Sequence, residues 1–278
     1  METIKIIYIF GNGHSGSTLM SLLLGAHSRI ESVGEMKAYE RCIERKGHCN
    51  CGAPIFECSY WKGIHQRLGV GPNDSPLPLN TEDTSAFGTE NANFLKALMD
   101  HAGGEYFCDS SKTKKRIFKY LASPQFEVTV LHLVRDGRAV AYSNFLKGRS
   151  YWNYLIRWRK RNVREVRRLF DAGLPADRYH RIRYEDLVIQ PERTLKKLHE
   201  AIGLPLEERQ LAEWAQGNHH IAGSYMAKKK HQAIQPDTRY LNGLSLLYWS
   251  LGSFFLGAVL RRLGYALRRS AMREILVK

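Results

Sequence analysis

Gly11-Asn12-Gly13-His14-Ser15-Gly16-Ser17-Thr18 is the stretch on which the reading of this chain turns. It follows an apolar, β-branched run (Ile4, Ile6, Ile7, Tyr8, Ile9, Phe10) and leads into Leu19, Leu22, Leu23 and Ala26 at helical spacing. Strand, glycine-rich turn and helix N-terminus together make an anion site. The glycines let backbone N–H groups crowd round a phosphate, and the helix dipole favours negative charge there. The spacing is close to the nucleotide-triphosphate loop, but Ser17 stands where that loop carries its lysine. The stretch therefore reads as a phosphate cradle that lacks the equipment for a γ-phosphate and magnesium.

Outward from the loop, strand and helix patterns alternate. Glu105–Asp109 reads as a short strand ending in Ser110-Ser111-Lys112, and Glu127–Val134 as the strongest strand, ending in Arg135-Asp136-Gly137-Arg138. Arg178–Tyr184 forms a further strand, and Pro191 opens a helix that stops at Gly203. This alternation predicts a single α/β domain over residues 1–278, with a central parallel sheet flanked by helices. Residues 151–172 are expected to form one long helix, with Trp152, Leu155, Val163, Val166 and Phe170 inward and a solvated face of arginines and lysines. Residues 71–93 are expected to be a polar loop, either a substrate loop or a plain surface insertion.

At 278 residues and 44% apolar, the chain can bury a substantial core. Its formal charge of +15 asks for an anionic partner: a phosphorylated cofactor, an acidic substrate, nucleic acid or a membrane surface. Met1-Glu2-Thr3 lacks the basic start of a secretory signal, which predicts a cytoplasmic location. Cys42, Cys49, Cys51 and Cys58 lie in an insertion near 40–62. Zinc, a disulfide and reduced thiols all stay open for them, although the spacing differs from the usual zinc knuckle. Leu241–Leu260 carries no charge and is followed by Arg261-Arg262. It reads as a C-terminal hydrophobic helix near 241–265, either packed on the domain, lying on a membrane surface, or spanning.

Three motifs in order, the loop at 11–18, Arg135 with Ser143, and Arg183-Tyr184-Glu185-Asp186-Leu187 before Pro191, resemble the sulfotransferases that use 3'-phosphoadenosine 5'-phosphosulfate (PAPS). The resemblance runs from about residue 5 to about 265. The wording around Ser15–Met20 and Gly34-Glu35-Met36, with the cysteine and Trp61 segment, looks closest to the glycan and tyrosylprotein branches. It implies a fold related to the phosphate-loop nucleotidases, and it resolves the missing lysine, since this co-substrate has no γ-phosphate.

The resemblance further implies that Gly13, His14, Ser15, Gly16, Ser17 and Thr18 wrap the 5'-phosphosulfate, with Arg135 and Ser143 on the 3'-phosphate and Tyr184 near the adenine. Lys228, Lys229 and Lys230 stand where the family places a late loop over that phosphate. His14 replaces the family's usual lysine or arginine. Either it acts when protonated, or Lys112 supplies the charge at the leaving phosphate. Glu35, twenty-one positions beyond His14, matches the catalytic glutamate of the tyrosylprotein branch and is the expected base, with His132, His219 and His220 as rivals. Arg138 either assists or faces solvent. The implied reaction moves a sulfuryl group to a hydroxyl, with an amine as second choice, on a carbohydrate or small molecule. No metal and no nucleic acid are expected, and the oligomeric state is not legible. A kinase-like phosphotransferase and a non-catalytic polyanion binder are the alternatives.

Overall fold

The computed structural model describes residues 3–221 and 233–276. In chain order the elements are β1 (Ile4–Gly11), α1 (Ser17–Gly25), β2 (Ile30–Glu31), α2 (Tyr39–Glu44), α3 (Ser59–Leu68), α4 (Thr84–Ala102) and β3 (Tyr106–Asp109). They continue with α5 (Lys114–Ala122), β4 (Phe126–Val134), α6 (Gly137–Phe145), α7 (Tyr151–Lys160), α8 (Val166–Asp171), β5 (Tyr179–Arg183), α9 (Tyr184–Ile189) and α10 (Pro191–Ile202). Then come α11 (Arg209–Ala212), α12 (Arg239–Gly243), α13 (Leu246–Arg262) and α14 (Arg269–Leu276). The strands form one parallel sheet in the order β2-β3-β1-β4-β5.

β1 is central, and alternate residues enter different cores. Ile6, Tyr8 and Phe10 pack with Trp61, Phe94 and Tyr120 on one face, while Ile7 and Ile9 pack with Leu19, Leu23 and Leu198 on the other. Both faces are covered, which is why the strand reads as an unbroken apolar run. Each such burial contributes about 1.5–3 kcal/mol. At its end a Cβ on Gly11 would lie 2.4 Å from the Leu133 carbonyl oxygen, so only glycine lets β1 and β4 stay paired there.

The sheet and its flanking helices are as the sequence predicts; four local expectations are corrected. The stretch 71–93 is not all loop. Asp83 accepts a hydrogen bond from the Ala86 amide at 2.6 Å and starts α4, which buries Phe87 and Asn91. Residues 151–172 do not form one uniform helix, because a π-helical turn at Arg161–Glu165 separates α7 from α8. Tyr151, Leu155, Trp158 and Leu169 point inward, whereas Trp152, Val163 and Phe170 are exposed. In α7 Trp158 rather than Trp152 is anchored, its indole N–H donating to the Arg135 carbonyl at 2.9 Å, and the π turn slips the helical phase of the residues after it.

The spanning reading of the C-terminus is also set aside: among the described residues no helix is long and apolar enough to cross a membrane. Instead Ser245 caps α13, which packs Trp249, Leu256 and Leu260 onto α6 and α7. Its other face leaves Leu246, Leu247, Leu251 and Phe254 exposed, Phe254 by 90%. Arg138 fastens this layer. Fully buried, it pairs with Asp136 at 2.6 Å and donates to Ser253 Oγ and to the carbonyls of Ala266 and Leu267. It neither faces solvent nor is free to assist a ligand.

Candidate active site

The turn after β1 passes over the carboxyl edge of the sheet, beside the strand where the order changes direction, as ligand sites in open α/β sheets do. Gly16, the N-cap of α1, has φ +89°, and a Cβ there would stand 2.5 Å from the Tyr184 ring. Glycine is thus required twice over, by backbone handedness and by the ring beneath it. His14 also takes a left-handed conformation, at φ +68°. The Ser15 hydroxyl is buried and has no hydrogen-bond partner among the described residues. Above Gly13 the space is open, with nothing within 4 Å of where a Cβ would be. An orphaned buried donor beside an open glycine face is what a phosphate cradle needs.

Arg135, at the end of β4, is drawn over this turn. Its guanidinium donates to the His14 carbonyl at 2.9 Å and lies 4.6 Å from the centre of the Tyr184 ring. Asp237 holds its other side, with a carboxylate oxygen at 3.0 Å. Burial pushes the Asp237 carboxyl up, but hydrogen bonds from Arg239 and the charge of Arg135 outweigh it and hold the group far below the usual range. Ser143 is buried on α6, the helix that starts just beyond Arg135. The structure therefore brings together the loop, Arg135 and Tyr184. Lys228, Lys229 and Lys230 lie outside the described residues.

The sequence leaves two alternatives at this position, a protonated His14 or charge supplied by Lys112, and the surroundings of His14 bear on the first. Burial lowers its pKa to about 4, and Lys147, Arg135, Arg149 and Lys112 all push in the same direction. Lys147 Nζ stands 3.5 Å from His14 Nε2. The imidazole is neutral near pH 7, and the four cations round it supply the positive field. Lys147 was missed in the sequence. Its one signal is that it follows Ser143 by four positions, a helical repeat.

Glu35 and Lys112 come from distant parts of the chain and meet. Gly34, at φ +85°, turns the chain after β2, and its carbonyl accepts from the Ser110 amide at 3.1 Å. This docks Glu35 against the end of β3, where Lys112 adopts φ +59°. Lys112 Nζ sits 2.6 Å from one Glu35 oxygen, and Lys37 Nζ sits 2.8 Å from the other. Burial pushes the Glu35 carboxyl up, yet Lys112 and Lys37 outweigh it and bring its pKa below the ordinary value, so it is ionised at neutral pH. Burial lowers the Lys112 ammonium despite the pull of Glu35. Lys37 was not anticipated. It is fixed by the Ser111 carbonyl at 3.0 Å and reaches Glu35 because a 3-10 turn, Met36–Ala38, follows the glutamate.

The rival bases fall elsewhere. His132 is in the core, its Nδ1 2.6 Å from the Tyr179 hydroxyl, and His220 is buried. His219 lies among the cysteines, with Cys58 Sγ at 3.3 Å. Beside Lys37 opens a cleft of about 590 Å³ lined by Glu40, Arg41, Asn80, Thr113 and Lys114.

Comparison with known proteins finds the same fold. The sulfotransferase domain from the curacin biosynthetic pathway has the same fold, with a TM-score of 0.65 and 20% identity over 96% of this chain and 100% of that one. The sulfotransferase domain of the Synechococcus PCC 7002 olefin synthase aligns at 0.61, with 20% identity over 94% of this chain and 95% of that one. Sulfotransferase STF9 from Mycobacterium avium aligns at 0.54, with 12% identity over 96% and 78%. In sequence, residues 7–208 match the Sulfotransferase family, and since that is most of its length this chain belongs to the sulfotransferase family.

Proposed function

We propose that the protein moves a sulfuryl group from PAPS to a hydroxyl of a carbohydrate or other polar small molecule, with Glu35 as the base. The observation that carries this reading is the meeting of Glu35 and Lys112 at the sheet edge, beside a phosphate-type loop ringed by Lys147, Arg135 and Arg149. The residues present suit the co-substrate: an orphaned Ser15 hydroxyl and an open Gly13 face for the 5'-phosphate, Arg135 and Ser143 for the 3'-phosphate, and the Tyr184 ring for the base. When bound, PAPS supplies a sulfuryl group already activated on a phosphate leaving group.

Glu35, ionised and pinned by two lysines, takes the proton of the acceptor hydroxyl as its oxygen attacks. Lys112 offsets negative charge on the departing phosphate oxygen, and being pre-set by burial and the Ser110 carbonyl it needs no reorganisation. Gly16, Ser17 and Thr18 orient the phosphate through the start of α1. The mixed-charge cleft beside Lys37 supports a polar acceptor. The neutral His14 leaves it a hydrogen-bonding role in the loop.

We further propose that the protein rests on anionic membrane surfaces. The exposed face of α13 is continuous with Phe145 and Trp152, whose rings lie 6.3 and 6.0 Å from Tyr248, and Arg157 and Arg159 stand over Tyr154 and Phe255 at its rim. An apolar face edged by arginines complements acidic headgroups, whereas a second copy would set arginine against arginine.

The test of the transfer reading is binding of the product nucleotide. Adenosine 3',5'-bisphosphate at about one hundred times its Kd should stabilise the protein by about 2.7 kcal/mol, visible as a rise in Tm. Arg135→Gln should lose most of that rise. No rise at millimolar nucleotide in the wild-type protein refutes the assignment.

A further inference from the structure

Cys49, Cys51, Cys58 and His219 gather their four ligand atoms within 4.8 Å of one another. Cys49 Sγ and Cys58 Sγ stand 3.5 and 3.3 Å from His219 Nδ1, and Cys51 Sγ stands 3.6 Å from Cys58 Sγ. Metal–sulfur bonds of about 2.3 Å and metal–nitrogen bonds of about 2.0–2.1 Å in a tetrahedron give sulfur–sulfur edges near 3.8 Å and sulfur–nitrogen edges near 3.5 Å. The three separations given lie within about 0.2 Å of these edges, and every other pair lies within 4.8 Å. All five cysteines, these three included, are free thiols. We infer that Cys49, Cys51, Cys58 and His219 form a closed, structural Cys3His zinc site.

The surroundings are arranged to hold the ligands. The Cys49 amide donates to the Ala53 carbonyl at 2.9 Å and the Gly52 amide to the Cys49 carbonyl at 3.0 Å, a tight turn that sends Cys51 back toward Cys49. Cys58 is the N-cap of α3, so the start of that helix fixes where its side chain stands. The His219 ring stacks on Tyr60 at 4.7 Å and 2°, and its carbonyl accepts from Trp61 Nε1 at 3.0 Å, so its Nδ1 is aimed by packing. The Asn50 amide binds the His220 carbonyl at 3.0 Å and stitches the two segments together.

Soft thiolates with one imidazole in a tetrahedron select zinc over harder cations. Four protein ligands leave no position for water or substrate, and Glu35, Lys112 and the loop contribute none of them. A zinc ion here would lie outside the proposed transfer machinery and would be a metal that the sequence reading did not expect. What the ion does is fasten: Ile221, two residues past His219, donates its amide to the Val33 carbonyl at 3.1 Å, two residues before Glu35. The cluster ties the cysteine turn, α3 and the segment leading to residue 221 behind the loop that carries the base. Spacing hid it, because the fourth ligand lies 161 positions beyond Cys58.

Elemental analysis of protein purified under reducing conditions without chelator tests this. About one zinc per chain is expected, and Cys51→Ser, at an exposed ligand, and His219→Asn should each retain less than about a fifth of it. Cys42→Ser, outside the cluster, should retain it all. Cobalt exchanged for zinc should show tetrahedral d–d bands with thiolate-to-cobalt charge transfer, and these should be absent from Cys51→Ser. Metal-free protein that takes up neither ion, or equal zinc in Cys51→Ser and the wild type, overturns the site. These readouts do not depend on transfer activity.

Discussion

Replacing Glu35 by glutamine separates its ion pairs from its proposed role as the base. The carboxylate bridges Lys112 at 2.6 Å and Lys37 at 2.8 Å, with side-chain exposures of 19% for Glu35 and 12% for Lys112. Removing one partner of a wholly buried pair costs about 3–5 kcal/mol, and an exposed pair is worth at most about 1. At this intermediate burial Glu35→Gln should cost about 2 kcal/mol, or roughly 3–4 °C in Tm for a chain of this size. Because the folded pKa of Glu35 is depressed, this stabilisation is fully present above the unfolded carboxylate pKa and is lost as pH falls through the folded value. The gap in Tm between wild type and variant should therefore be widest near neutral pH and close in acid. Turnover should fall by about 10²–10⁴, the usual contribution of a positioned general base. Adenosine 3',5'-bisphosphate should still raise the variant's Tm. Adding Lys112→Met removes the stranded ammonium, so the double variant should regain stability without regaining turnover. A kcat for Glu35→Gln within about threefold of wild type refutes the base assignment. So does a rate that returns with stability in the double variant.

The pKa of about 4 at His14 means that its folded form binds no proton where the unfolded chain still does, so its neutral state favours folding above about pH 6.5 and the gain is lost as pH falls toward 4. Between roughly pH 6 and 8.5 the rate should carry no inflection from His14, and one near pH 6.5 that disappears in His14→Gln would refute this. Leu247 and Phe254 are both exposed, so changing both to glutamate should leave the fold intact while abolishing sedimentation with phosphatidylglycerol vesicles. Equal binding by the variant, or equal binding to neutral phosphatidylcholine vesicles, would dispose of the membrane-surface proposal.

Much of the fold was legible because it is written locally. β1 is buried on both faces from Ile6 to Phe10 and reads there as a continuous apolar run, β4 is rich in β-branched and apolar residues, and Gly11 and Gly16 stand where a Cβ has no room. What the sequence hid is what depends on partners far along the chain. The polar composition of 84–93 conceals a helix whose inner face is read only once Phe87 is seen against Tyr120, with centroids 5.1 Å apart. The inward face of 151–172 was misread at its start because the buried stripe is Tyr151, Leu155 and Trp158, with Trp158 chosen by the Arg135 carbonyl, and beyond residue 160 because a π turn is a packing outcome with no local residue signature. Glu35 and Lys112 could be named singly, but not their contact, which depends on a hydrogen bond between Gly34 and Ser110.

The same distinction explains the one residue that seemed out of place. A histidine where a permanent cation is usual looks like a deficit if the loop is considered alone. In the folded chain four basic residues from three different segments act on that imidazole: Lys112 after β3, Arg135 after β4, and Lys147 and Arg149 after α6. A fifth charge at position 14 would have to be buried against these four before any anion arrived, and like charges in a partly buried site cost free energy that an incoming phosphate must first repay. A neutral side chain that can still donate a hydrogen bond avoids that cost and keeps the positive field. On the proposed reading, the charge required of the loop is carried by its walls, so the feature to compare between related loops is the summed charge around the cradle rather than the residue at one position of the motif.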